Sequence, residues 1–135
     1  MGKPACTAIL LGLALALPAL AQDANEKVSG KPFFTQTGRA SWYGEKHEGK
    51  TTADGSSFDP DEFTAAHPSL KFGTVLRVTN LANRRMVKVR VTDRGPHVKN
   101  RVIDVSLAAA RELGIMRRGT GRVRIRAYWF DQFPD

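Results

Sequence analysis

Cysteine is almost absent from this sequence of 135 residues, and its single copy, Cys6, lies near the amino terminus. Cys6 precedes an apolar run over residues 7–20, which ends in an A-x-A cleavage site at residues 19–21. A basic residue, an apolar run and such a site are the three parts of a secretory signal peptide, which we predict over residues 1–21. A mature chain that starts near Gln22 contains no cysteine, which excludes disulfide bonds and thiol catalysis.

Long apolar segments are also scarce. The run in the predicted signal peptide has about 14 residues, whereas a helix needs roughly 20 to span a bilayer. No second candidate follows it. Cys6 stands before this run rather than after it, so it does not match a lipid-modified amino-terminal cysteine. We therefore expect an exported protein, periplasmic or extracellular, that is cleaved between Ala21 and Gln22 and has no stable membrane anchor.

Acidic residues are few. The chain has 13 Asp and Glu against 21 Lys and Arg, which gives a net charge of +8 and an isoelectric point near 10.2. Such a charge indicates an anionic partner or surface but says nothing about the fold. Arg122, Arg124 and Arg126 share one face of a predicted strand, which is either a nucleic-acid interface or a solvated strand face. Because an exported protein meets little nucleic acid, we expect no nucleic-acid partner and favour an anionic cell-wall polymer or membrane surface.

Several catalytic motifs are missing. No G-x-S-x-G elbow occurs, and the glycine-rich residues 49–55 lack the spacing of a phosphate-binding loop. The chain has three histidines, and their spacing with Asp93 matches no compact metal-ligand motif. We therefore predict neither a metal nor a cofactor.

The remaining pattern is typical of one small β domain. Residues 22–38 are polar and aperiodic, so we predict a flexible amino-terminal segment there and a folded domain over residues 39–130. Period-two alternation and turn signals predict strands at residues 38–44, 74–79, 86–92, 101–105 and 121–128.

Helical signals are confined to two short segments. A single helical turn is expected at residues 61–66, and one helix at residues 107–113 between the N-cap Ser106 and Gly114. Together the segments predict a mainly β fold, mostly antiparallel, which closes into a barrel because short strands need their edges covered.

Asp93 is the strongest candidate for chemistry. It follows a predicted strand and precedes the turn at residues 94–96, so the sheet would hold its carboxylate beside a groove. The alternative is a carboxylate that only caps the turn or pairs with Arg94. His67 precedes Pro68 in an extended segment. It either orients a carboxylate, binds a sugar or is a partly buried structural residue.

Four aromatic residues lie in or near the predicted loop at residues 45–60. Aromatic faces stack on sugar rings, but they also build hydrophobic cores. We favour a core position for Trp42 and Phe72, and leave both alternatives open for Tyr43 and Phe58.

These segments together resemble the RlpA (rare lipoprotein A) family. The resemblance extends in family order over residues 39–127, and a Thr-Ala-Ala-His-Pro run followed by Asp-Arg-Gly-Pro at this spacing is very specific. The matching runs are Ala-Ser-Trp-Tyr-Gly at residues 40–44, Thr-Ala-Asp-Gly at 52–55, Thr-Ala-Ala-His-Pro at 64–68, Asp-Arg-Gly-Pro at 93–96 and Arg-Val-Ile-Asp-Val-Ser at 101–106.

The resemblance implies a six-stranded double-psi β-barrel and an endolytic lytic transglycosylase. Such an enzyme cleaves the β-1,4 bond from MurNAc to GlcNAc in peptidoglycan, leaves a 1,6-anhydro product and prefers glycan without stem peptides. The family positions implicated in activity match Asp59, His67 and Asp93. Asp93 is expected to act as acid and then base, Asp59 to stabilise the transition state, and His67 to orient Asp93 or bind substrate. Substrate binding is predicted for Tyr43, Thr52, Phe58 and Arg94.

The chain also departs from the family pattern. A family Glu three residues before Asp59 is replaced by Ser56, so either this Glu is dispensable, or Glu45, Glu48 or Asp54 substitutes for it, or the chain is less active. The lipidation cysteine and the glycan-binding SPOR domain of the family are not seen, so septal targeting and division-site partners stay open. The alternative functions are a non-catalytic peptidoglycan-binding protein and an inverting hydrolase that uses Asp59 and Asp93 as a pair. In each case we expect a monomer.

Overall fold

The computed structural model describes residues 30–44 and 47–131. The predicted signal peptide and cleavage site lie outside these residues. The described part contains six strands and one helix. They are β1 (Phe34–Trp42), β2 (Thr64–Ala66), β3 (Val75–Asn80), β4 (Met86–Asp93), β5 (Arg101–Val105), α1 (Leu107–Leu113) and β6 (Thr120–Ala127).

The six strands form one closed barrel in the order β1-β5-β2-β4-β3-β6. The pairs β1/β5 and β2/β4 are parallel, and the other four pairs are antiparallel. Two parallel pairs inside an otherwise antiparallel closed barrel confirm the predicted mainly β fold, a six-stranded double-psi β-barrel with one short helix.

Strand alternation places the hydrophobic core inside the barrel. Along β4 the side chains of Val87, Val89 and Val91 are buried while the residues between them are exposed, as the sequence pattern predicted. Val123 and Ile125 of β6 are also fully buried. The outer face of β6 consequently carries its arginines.

The barrel begins earlier than the sequence predicted. Residues 34–38, assigned to the flexible segment, belong to β1 and pair with β6 from Phe34 opposite Ala127 onwards. Their pattern was hidden because two of the inward positions are Gln36 and Gly38 rather than apolar residues. Both have a structural reason: Gln36 bonds to the buried His67, and Gly38 lies against Val102.

The helical turn predicted at residues 61–66 was wrong for its second half. A turn occupies residues 60–62, and Thr64–Ala66 form β2, which pairs with β4 on one side and β5 on the other. All three residues of β2 are buried, so no alternation revealed the strand.

Helix α1 agrees with its predicted bounds. Ser106 caps it by accepting a hydrogen bond from the Ala109 amide at 3.3 Å, and Gly114 ends it in the left-handed region at φ 76°. Within the described residues, no helix is long and apolar enough to cross a membrane.

Candidate active site

Asp93 ends β4 and is held by three hydrogen-bond donors. The Oδ1 atom accepts the backbone amides of Ala53 and Arg94, each at 2.9 Å, and Oδ2 accepts the Tyr43 hydroxyl at 3.2 Å. The bond from Arg94 is the local turn contact that the sequence suggested. The other two donors lie 40 and 50 residues away in the chain, so the carboxylate also joins the loop to β1.

A small cleft of about 120 Å³ opens beside this carboxylate. It brings together four residues that the sequence singled out: Tyr43, Thr52, Phe58 and Asp93. It also brings in three that sequence reasoning did not assign to the site: His47, Lys50 and Thr51.

Tyr43 and Phe58 form the aromatic wall of the cleft. Their rings meet edge to face with centroids 5.0 Å apart, and Phe58 is buried. Burial, followed by the negative charge of Asp93, raises the pKa of the Tyr43 hydroxyl far above its usual value. Tyr43 therefore stays protonated and donates its hydrogen bond to Asp93 at every physiological pH.

The predicted surface loop is a small hairpin that covers Asp93. The backbone of Gly49 and Lys50 pairs with Phe58, and Thr51 bridges to Ser57. The Asp54 amide donates to the carbonyl of Thr92 at 3.1 Å, which ties the tip of the hairpin to β4. This contact places the Ala53 amide within hydrogen-bond distance of the Asp93 carboxylate.

Three side chains lock the tip of this hairpin. The Asp54 carboxylate accepts the hydroxyls of Thr52 and Ser56, each at 2.5 Å, and the Ser56 amide at 2.9 Å. Desolvation acts to raise the pKa of Asp54, but the hydrogen bonds from Ser56 and Thr52 and the charge of Arg90 outweigh it and hold the pKa below its usual value. Asp54 is therefore a charged acceptor within its own loop, and Ser56 is part of the same network.

His67 is 2% exposed and lies inside the barrel. Its Nδ1 accepts the amides of Ser69 and Leu70 at 3.1 and 3.2 Å, which places the ring proton on Nε2, where it is donated to Gln36 at 2.9 Å. Burial and then the charge of Arg94 lower the pKa of His67, so the ring is neutral. Both ring nitrogens are used by these partners, and His67 meets Asp93 through its backbone amide, which donates to the Asp93 carbonyl at 3.1 Å.

Arg94 is directed to the turn that His67 organises. Its Nη1 donates to the carbonyls of His67 and Leu70 at 3.3 and 2.8 Å, and its guanidinium lies 4.0 Å from the ring centroid of Phe72. Phe72 is 41% exposed, so the core position favoured for it was wrong. It forms a cation–π pair on the surface instead.

Asp59 lies in the turn that leads to β2. Its side chain is exposed, and Oδ1 accepts the Asp61 amide at 2.9 Å. The preceding residue, Phe58, lines the cleft, whereas Asp59 does not. The structure thus places Asp59, His67 and Asp93 in three different local environments.

One cluster near the cleft was missed by sequence reasoning. Asp104 of β5 accepts the hydroxyl of Ser41 and two hydrogen bonds from Arg101, at 3.0 and 3.1 Å. Its charge contributes to the raised pKa of Tyr43. The parallel pairing of β1 with β5 puts Ser41 opposite Asp104, and such a pairing could not be derived from the sequence. No group of three potential metal ligands occurs in residues 30–44 and 47–131.

The family model described as lytic transglycolase matches residues 35–125, which include every strand except the ends of β1 and β6. A curated protein of Neisseria meningitidis named endolytic peptidoglycan transglycosylase RlpA is 49% identical over 107 residues, covering 73% of this chain and 45% of the relative. A protein of the same name from Yersinia pestis is 55% identical over 102 residues, covering 76% of this chain and 27% of the relative. This chain belongs to the RlpA family. It spans less than half the length of these RlpA relatives.

Solved structures support the fold of this RlpA domain. The expansin of Clavibacter michiganensis in its apo form has a TM-score of 0.59 and 25% identity, covering 75% of this chain and 54% of the expansin. The Streptomyces papain inhibitor has a TM-score of 0.57 and 23% identity, covering 72% of this chain and 97% of the inhibitor. The second similarity concerns the fold alone.

The sequence resemblance predicted that Ser56 replaces a family Glu. Of the three proposed substitutes for the family Glu, Asp54 is bound to Thr52 and Ser56, and Glu48 is exposed. Glu45 lies outside the described residues. Among the lining residues that the structure describes, the cleft contains one carboxylate, Asp93.

Proposed function

We propose that this protein is an endolytic peptidoglycan lytic transglycosylase with Asp93 as its central catalytic residue. The observation that carries the proposal is the carboxylate of Asp93, fixed by three donors beside a cleft with an aromatic wall. The family membership and the names of the RlpA relatives support the substrate and the reaction class. Neither would suffice without a suitable site.

In the proposed reaction, Asp93 acts twice. In its protonated form it first donates a proton to the glycosidic oxygen as the bond from C1 of MurNAc to that oxygen breaks, which releases GlcNAc with a free hydroxyl. The C6 hydroxyl of the same MurNAc then attacks C1 and returns its proton to Asp93. The product is a 1,6-anhydro sugar, no water is consumed, and the carboxyl group ends in its starting state.

The other residues of the cleft position Asp93 and offer contacts to a sugar ring. Tyr43 fixes the Oδ2 atom of Asp93 and, with Phe58, offers an aromatic surface for a sugar ring. Lys50 and Thr52 also line the cleft. Asp59 remains the predicted stabiliser of positive charge at C1, a role that requires it to meet the bound glycan from outside the cleft.

His67 and Arg94 are proposed as positioning residues. The neutral ring of His67 fixes the turn at residues 67–70, and this turn receives the guanidinium of Arg94. Arg94 in turn donates its amide to Asp93. Substitution of His67 would therefore affect the position of Asp93 in two ways. One is the turn that holds Arg94, and the other is the hydrogen bond from the His67 amide to the Asp93 carbonyl.

We further propose that the protein acts outside the cytoplasm, on the cell wall. The predicted signal peptide supports export. The positive net charge supports contact with an anionic polymer, and peptidoglycan carries carboxyl groups.

The experiment compares mature wild-type protein with Asp93→Asn on purified sacculi and on amidase-stripped glycan. Soluble products are identified by mass spectrometry. We expect anhydro-ended sugars from the wild type and a loss of at least about 100-fold in Asp93→Asn, because proton transfer is removed. Asp61→Asn is the matched control, since it makes the same change on an exposed side chain. Equal turnover by Asp93→Asn and Asp61→Asn would contradict the assignment.

Non-catalytic glycan binding is the second candidate, and Ser56 favours it. The hydroxyl of Ser56 is bound to Asp54, and Asp93 is the one carboxylate among the described residues that line the cleft. Wild-type protein that sediments with glycan and releases no product would establish this reading. Products with reducing ends would instead identify a hydrolase.

A further inference from the structure

A second and larger cleft lies on the outer wall of the barrel. Its volume is about 490 Å³, against about 120 Å³ for the cleft at Asp93, and the two share no lining residue. Its lining residues are Thr37, Gly38, Arg39, Asn100, Val102 and Arg122. Nothing in the proposed reaction uses this cleft.

Two arginines face each other across it. Arg39 of β1 and Arg122 of β6 are directly opposite in the antiparallel pairing, and both side chains are exposed. The ion pairs among the described residues involve Arg77, Lys88 and Arg101, so no carboxylate in this part of the chain forms an ion pair with Arg39 or Arg122. Like charges placed directly opposite repel each other, and a bound anion would relieve that repulsion.

The surroundings of the pair are rigid and positively charged. A side chain at Gly38 would approach Val102 Cγ1 to 2.5 Å, so these two lining residues are already in close contact. The Arg39 amide donates to the Asn100 carbonyl at 3.0 Å, which fixes the rim. Two positions further along β6, Arg124 lies opposite Thr37 and adds another positive charge. A preorganised basic concavity concentrates anions from solution.

The strand geometry relates this cleft to the candidate acid. Strand β1 links the two clefts, since Arg39 lies within it and Tyr43, at the Asp93 cleft, follows its last residue, Trp42. At about 3.3 Å per residue, the Cα atoms of Arg39 and Tyr43 are at most about 13 Å apart. A polymer that lies along β1 would therefore reach both clefts at once.

We propose that the Arg39–Arg122 cleft is an anion subsite for a carboxylate of the peptidoglycan strand. The inference rests on the proposed function for the choice of polymer. Every MurNAc carries a lactyl ether, whose carboxyl group is free in stripped glycan and is extended by a peptide, with its own carboxylates, in intact wall. Paired guanidinium groups bind carboxylates through charge-assisted and bidentate hydrogen bonds.

The test maps binding on the wild-type protein by backbone amide NMR. The probes are N-acetylmuramic acid, its carboxyl-amidated form, muramyl dipeptide and N-acetylglucosamine. We expect the two carboxylates to shift amides of residues 37–39, 100–102 and 122, and the two neutral sugars to leave them unchanged. Binding of N-acetylmuramic acid identifies the lactyl carboxylate as the ligand, and binding of the dipeptide alone identifies the stem-peptide carboxylate. Equal shifts with neutral sugars, or no shifts with either carboxylate, would overturn the subsite.

Two double variants separate the cleft from general electrostatics. Arg39→Gln with Arg122→Gln is compared with Arg117→Gln and Arg118→Gln, which removes the same charge from exposed positions outside the cleft. We expect affinity for the carboxylate to fall about tenfold or more in the first pair and less than twofold in the second. Equal losses in both would overturn the proposal.

Turnover on stripped glycan distinguishes this inference from the proposed function. Anhydro products without carboxylate binding in the cleft would overturn the subsite and leave the enzyme assignment standing. Carboxylate binding without any product would establish the subsite and contradict the transglycosylase.

Discussion

The buried ring of His67 leads to a prediction about the pH dependence of stability. It is neutral in the folded protein, because Nδ1 accepts two amides and Nε2 donates to Gln36. Burial and then the charge of Arg94 lower its pKa. In the unfolded chain the ring regains a pKa of about 6.5.

The sign and size of the effect follow from proton linkage. Above about pH 6.5 the ring is neutral in both states and contributes no pH dependence. Below this pH the unfolded chain binds a proton that the folded ring resists, so the free energy of unfolding decreases as the pH falls towards the folded pKa. The slope reaches at most about 1.4 kcal/mol per pH unit. A loss of about 1 kcal/mol corresponds to a decrease of roughly 4–8 °C in Tm for a domain of this size.

The assay is urea unfolding between pH 5 and 8 of wild type, His67→Asn and His97→Asn. Asparagine at position 67 can still offer an acceptor to the amides of Ser69 and Leu70, but it does not titrate. We expect His67→Asn to be less stable at every pH and to show a smaller slope below pH 6.5. His97 is exposed, so His97→Asn is expected to keep the wild-type slope. An unchanged slope in His67→Asn would refute the reasoning.

Three further substitutions test other parts of the structure. Tyr43→Phe keeps the ring and removes one hydrogen bond to the candidate acid, so turnover on stripped glycan should fall about tenfold. The control Tyr128→Phe should match wild type, and equal rates for the two variants would contradict the role of the Tyr43 hydroxyl. Gly38→Ala should lower the free energy of unfolding by about 1–3 kcal/mol in urea, because its Cβ would lie 2.5 Å from Val102. Adding Val102→Ala to the same chain should recover part of that loss. An unchanged stability of Gly38→Ala would contradict the close packing. Ser106→Ala should cost about 1 kcal/mol through loss of the helix cap, measured in the same way, and an unchanged midpoint would show that the cap is dispensable.

The sequence predicted the strands whose two faces differ. In β4 and β6, valine and isoleucine alternate with arginine and lysine, and such a pattern has a single consistent interpretation. β2 was missed because all three of its residues are buried, so its sequence shows no alternation. The start of β1 escaped because its inward side chains are polar or absent and are compensated by partners distant in the chain, such as His67.

The candidate site was predicted only in part. A strand end followed by a turn correctly located Asp93, and the aromatic Tyr43 and Phe58 join it in one cleft. Sequence position could not show that the ring of His67 is turned into the barrel, because its hydrogen-bond partner Gln36 lies 31 residues earlier. Nor could it show that Asp104 faces Ser41, since parallel pairing of distant strands leaves no local signal.

The order of the strands also sets a requirement on folding. Among the pairs formed by the described strands, β3–β4 is the one that joins strands consecutive in the chain. Contacts between residues far apart in sequence form late, because the loop between them must first be closed at an entropic cost. Because β1 pairs with β5 and β6, it cannot complete its hydrogen bonds until β6 is available. The barrel cannot close on a nascent chain until nearly all of the domain has been released, and a chain that stays open this long is suited to being exported before it folds.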